Sequence, residues 1–92
     1  MKQQTPAAMS DHRPRLYTLF GQLAEDSEAT VLVPNVCKGE AKAAFRAERD
    51  RMRSHRFRAR EWKDDCDNLP GCTIINLLTG KQEATYWLRE TA

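Results

Sequence analysis

The sequence predicts an α+β fold: a small antiparallel sheet of about four strands, in the order β-β-α-β-β, packed on one long arginine-rich helix. Three observations carry this. Residues 40–64 contain no proline or glycine and are dominated by Ala, Arg, Glu and Lys, the composition of a helix. Cys72–Leu78 and Gln82–Arg89 flank Thr79-Gly80-Lys81, a hairpin signal. Residues 29–36 are rich in β-branched side chains and read as a strand.

Taken in order, residues 1–13 form a polar leader punctuated by Pro6 and Pro14, with no periodicity. Arg15–Leu23 is ambiguous. Asp11 as a cap with Pro14 in the first turn favours a helix. Its aromatic content, Gly21 and the neighbouring strand favour a hairpin, which is the preferred assignment. Glu25-Asp26-Ser27-Glu28 supplies the turn, and Pro34 places the second strand at an edge or marks its end.

On a helical wheel Ala41, Ala44, Phe45, Met52, His55, Ala59 and Trp62 form a stripe roughly 100° wide, the expected core-facing side. The helix would run about 35 Å, long for a domain of this size, which leaves one end to project or to break near Ser54-His55. Asp64–Gly71 is a loop closed by Pro70-Gly71. In the last strand the adjacent Tyr86 and Trp87 point to opposite sheet faces. One packs on the helix, and the other is exposed or covered by the leader or a partner.

The 92 residues make one domain, 1–92, with room for one modest core and little for a deep cleft. The 40% hydrophobic and 30% charged fractions are those of a globular chain. No run of about 18 apolar residues occurs, so no membrane contact is expected. The first residues lack the apolar core of a signal peptide, and a cytoplasmic location is expected. Cys37, Cys66 and Cys72 are odd in number with no CxxC pair, and read as semi-buried thiols. Zinc would need His12 or His55 as a fourth ligand at an unusual spacing, so no metal or cofactor is expected.

The net charge of +2 hides an asymmetry. Lys38–Lys63 holds ten basic residues against four acidic ones, a local excess of +6 that leaves the remainder at −4. Arg46, Arg49, Arg53, Arg56 and Arg60 recur at intervals of 3, 4, 3 and 4. On a helix they share a sector roughly 80° wide, with Lys42 one turn earlier and Lys63 at the far end. Phe57 lies among these arginines, where an aromatic suits stacking on an unpaired base or anchoring in a protein pocket. The plainer alternatives are a solvated face paired with carboxylates elsewhere, and a bent helix that carries Phe57 into the core. Guanidinium pairs bidentately with phosphate or carboxylate and stacks on rings, so the row points to an anionic partner. The expected contact set is Lys42, Arg46, Arg49, Arg53, Arg56, Phe57, Arg60 and Lys63.

Catalysis is not expected. The chain has no Gly-rich phosphate loop, no HExxH and no nucleophile elbow. The acidic run Asp64-Asp65-Cys66-Asp67-Asn68 lacks the glycine and glutamate of a calcium loop. In size and overall character the whole chain resembles the compact α+β anti-CRISPR proteins of phages that inhibit type I-F surveillance complexes. No residue is carried over from that resemblance. It implies a monomeric inhibitor in the host bacterial cytoplasm, bound to a ribonucleoprotein of Cas proteins and guide RNA and obstructing the pairing of guide RNA with target DNA. Two other expectations use the same helix: a regulatory module that binds nucleic acid directly, and an oligomerisation module that pairs it with acidic loops of a second copy.

Overall fold

A computed structural model of the chain describes residues 15–65 and 67–91. The polar leader, with His12, and Cys66 lie outside these residues. Within these residues five strands and one helix follow in the order β1 (Tyr17–Leu23), β2 (Thr30–Val36), α1 (Lys38–Met52), β3 (Phe57–Lys63), β4 (Pro70–Asn76) and β5 (Gln82–Glu90). The strands form one antiparallel sheet in the order β2-β1-β5-β4-β3. Among the described residues no helix is long and apolar enough to cross a membrane.

The N-terminal hairpin forms as expected. The turn over residues 24–29 joins β1 to β2, and β2 is an edge strand, where Pro34 forfeits no ladder bond on its open side. A bulge in β2 places Asn35 at φ 48°, a left-handed conformation that asparagine tolerates better than most residues. The C-terminal hairpin also forms as expected, with Gly80 at φ 74°. Asn76 shares the work there. Its side-chain oxygen accepts from the backbone N–H groups of Leu78 (2.8 Å) and Thr79 (3.2 Å), while its carbonyl accepts from Gly80 (2.7 Å).

The single long helix does not form, and the sheet has five strands where about four are expected. α1 ends at Met52, and Arg53, its C-cap, has an extended ψ of 139°. The chain turns at Ser54. Ser54 and Phe57 exchange backbone hydrogen bonds, and the Ser54 hydroxyl accepts from the Arg56 N–H at 3.1 Å. Residues 57–63 then run as β3 along β4. The physical reason is tertiary. Without β3, the apolar strand β4 would be an open edge, a strong aggregation template. The ladder to β4 outweighs the modest helix preference of Arg, Ala and Glu, which is worth only tenths of a kcal/mol per residue, about 0.5 at most. The break falls at the Ser54-His55 weak point.

The helix packs on one face of the sheet. Ala41 and Phe45 are buried against Tyr17, Leu19, Cys72, Ile74, Ala84, Tyr86 and Leu88, with Ala44, Met52, Phe57 and Ala59 at the margin. His55 and Trp62 leave the expected stripe: His55 is exposed in the turn, and Trp62 faces away from the helix. Lys38 Nζ sits 5.9 Å from the centroid of the Tyr17 ring and ties the first turn to β1.

Two core groups resist ionisation. Burial pushes the Cys72 thiol from its ordinary 9.0 up to about 11, with Glu61 adding to the effect. Burial likewise raises the Tyr86 phenol, aided by Glu48. Each group stays neutral when folded and would ionise more easily when unfolded. The thiol's contribution to stability is therefore complete below about pH 9 and is lost as pH rises toward about 11, and the phenol's is lost in the same direction as pH rises above its ordinary value. Urea midpoints measured from pH 7 to 11 should hold level and then fall. Cys72→Val should flatten part of that fall, and an unchanged slope in this variant would refute the assignment to the thiol.

Candidate functional site

Directly paired residues of an antiparallel sheet share a face, so the register defines the face turned away from α1. Trp62, Gly71, Trp87 and Phe20 are successive partners across β3, β4, β5 and β1. A parallel row on the same face runs Arg60, Thr73, Thr85 and Gln22. Arg58 opposite Ile75 lies beyond it, and Arg89 opposite Thr18 lies on the other side of the aromatic row. Three aromatic rings thus cross the middle of this face, with arginines on both flanks. Arg60 and Arg89 are two rows apart on either side, about 13 Å along the strand direction.

The rings are held in place. Phe20 and Trp87 stack with centroids 5.7 Å apart and planes 17° from parallel. The Trp62 indole lies flat over Gly71: a Cβ there would stand 2.3–2.5 Å from its ring carbons. Its Nε1 donates to the Thr73 hydroxyl at 3.1 Å, which fixes the ring orientation. All three rings are partly exposed. At one end Thr18, Thr91 and Asn35 form a polar clasp. Asn35 N donates to Thr18 Oγ1 (3.1 Å), Thr91 Oγ1 donates to Asn35 Oδ1 (2.8 Å), and the two hydroxyls lie 2.9 Å apart.

The charges divide sharply between the two layers. Arg49 donates to Asp50 at 3.0 Å and to Glu61 at 3.1 Å, and only 17% of its side chain is exposed. Arg53 pairs with Asp50 at 3.3 Å, and Arg51 pairs with Glu48. The Arg49 hydrogen bond holds the Asp50 carboxyl below its ordinary range and raises the Arg49 guanidinium in return. Such exposed pairs add little stability, but they remove these cations from the service of a partner. Arg58, Arg60 and Arg89 are exposed and make no ion pair among the described residues. The carboxylate of Glu83, at the turn end of this face, is engaged by the Asn76 amide at 3.0 Å.

No protein-family model, curated protein or solved structure matches the chain.

The expected contact set is therefore dispersed. Lys42, Arg46 and Arg49 line a shallow cleft of about 170 Å³ beside Phe45, Glu61 and Pro70. Arg53 caps the helix, Arg56 lies in the turn, and Phe57 begins β3 packed against the core margin. Arg60 is on the face turned away from α1, which carries no helix among the described residues (the helix-free face), and Lys63 ends β3 on the strand's other side. Arg58, Arg89, Phe20, Trp62 and Trp87 were not in the set. The signal for two of them lies in β3, where Arg58, Arg60 and Trp62 alternate with Phe57, Ala59 and Glu61 at the period of a strand.

Proposed function

We propose that the chain is a non-enzymatic module that binds single-stranded nucleic acid on the helix-free face of its sheet. The observation that carries this is the row Phe20, Trp87 and Trp62, flanked by three arginines that make no ion pair among the described residues. Unpaired bases stack on partly exposed rings, and each stacked base is worth about 1–3 kcal/mol. The guanidinium groups of Arg58, Arg60 and Arg89 take the phosphates. A duplex offers phosphates to such a surface but keeps its base faces inside the helix, so the aromatic row selects for an unpaired strand.

Both tryptophans of the chain lie on this face, so intrinsic fluorescence reports on it directly. Titration with a single-stranded oligonucleotide should quench that fluorescence. Three phosphate contacts imply a log–log salt slope of about −2. In Arg58→Gln/Arg60→Gln the slope should shrink by about 1.4. A duplex of equal length that binds as tightly as the single strand would overturn the proposal.

An inhibitor of a CRISPR–Cas ribonucleoprotein, the expectation drawn from the phage resemblance, would use the same chemistry with the contact moved from helix to sheet. Pull-down from bacterial lysate with and without nuclease separates the two. Capture of Cas proteins that survives nuclease treatment favours the inhibitor, and capture lost with the nucleic acid favours direct binding.

A further inference from the structure

The cations of this chain do not stop at the helix-free face. β3 is the edge strand opposite β2, with no outer neighbour among the described residues, and Arg58 and Arg60 project from one side of it. Across that single strand, on the helix side, lies the cleft between α1 and the β3–β4 edge. Two of its lining cations, Lys42 and Arg46, make no ion pair among the described residues. The third, Arg49, is spent on Glu61 and Asp50. Asp50 and Glu61 already pair with Arg49 and Arg53, so among the described residues Lys42 and Arg46 add net positive charge to the cleft, Arg46 within the longer-range field of Asp50. An edge strand also offers a row of outward backbone N–H groups, which are good phosphate donors.

The cleft is about 170 Å³ and open to solvent. Small-molecule sites usually enclose about 300–1,000 Å³, so it is too small for an organic ligand of that kind and large enough for a phosphate group. We infer that a bound single strand wraps around the β3 edge, leaving the aromatic row past Arg58 and Arg60 and placing later phosphates on Lys42 and Arg46 in the cleft. This rests on the proposed single-strand function and extends it. The footprint is two-sided, and its second half is reached only by a strand long enough to turn the edge.

The test is the binding of oligothymidylates of about 5 and about 15 nucleotides, lengths near the two ends of the usual footprint range of a small binding sheet. Both are titrated against the full chain and against Lys42→Gln/Arg46→Gln, whose positions lie outside the buried core. The longer oligomer should lose about tenfold or more in affinity at about 0.1 M salt, and its salt slope should fall by about 1.4. The shorter one should bind the variant and the parent alike. Equal losses at both lengths, or no loss at either, would overturn the wrapped path. Quenching of the tryptophans by the short oligomer would then leave the helix-free face standing as the site. If the unaltered chain binds neither oligomer, the wrapped path and the proposed function fall together.

Discussion

Trp87→Ala is expected to weaken binding of a single-stranded oligonucleotide about ten- to hundredfold, because one stacked base is lost at about 1–3 kcal/mol. Trp87 is central to the aromatic row, paired with Phe20 on one side and with Gly71 on the other. Its removal also breaks the 5.7 Å stack with Phe20, a contact worth about 0.5–1.5 kcal/mol to the fold. Alanine alone therefore mixes two effects. Trp87→Leu separates them. Leucine keeps apolar bulk over the neighbouring strands but has no π face, so stability should largely recover while affinity stays low. Trp87→Phe should retain most of both. The decisive comparison is fluorescence anisotropy of a labelled oligomer with the leucine and phenylalanine variants, each confirmed folded at the assay temperature. A leucine variant that binds as well as the parent would mean that the ring serves only the sheet.

The two hairpins were legible because their signals are local: β-branched runs, a turn with Gly80, and Pro34 at an edge. The opposed faces of Tyr86 and Trp87 were legible from strand geometry alone, and Tyr86 is the buried member at 6% exposure. Residues 57–63 were not legible as a strand. Arg, Ala, Glu and Lys are good helix formers, and the same residues also continue the helical stripe of Ala41, Phe45 and Met52. Two periodicities coincide there, and the need of β4 for an outer neighbour decides between them. That need is a long-range fact which no window of the chain contains. The candidate site followed the same fault. A helix would have gathered Arg46, Arg49, Arg53, Arg56 and Arg60 on one side. A strand splits them, sends Arg58 and Arg60 to the face opposite α1, and brings Trp62 alongside Trp87. The alternation from Phe57 to Trp62 was visible in the sequence, but it had no partner strand to give it meaning.

Gly71→Ala should be nearly as damaging to binding as loss of Trp62 itself. Gly71 is paired on both sides, with Trp62 on β3 and Trp87 on β5, so its backbone cannot yield. A methyl group there would stand 2.3 Å from the nearest Trp62 ring carbon and 2.5 Å from two others. The φ of Gly71 is not in the left-handed region, so alanine meets no backbone strain, and the indole must move instead. Displacing it breaks the bond to Thr73, whose residue is only 5% exposed. A buried hydroxyl stripped of its partner costs about 1–3 kcal/mol. Alanine returns about 0.4–1 kcal/mol by restricting the unfolded chain, so the net destabilisation is on the order of 1 kcal/mol. The loss in affinity should reach about tenfold, since a tilted Trp62 no longer lies flat for a base. A double-mutant cycle isolates the cause, because the two effects share one group. In a Trp62→Ala background the extra methyl has nothing to strike. There Gly71→Ala should leave affinity unchanged and raise the unfolding midpoint. A methyl that weakens binding equally with and without Trp62 would show that Gly71 acts by some route other than seating that ring.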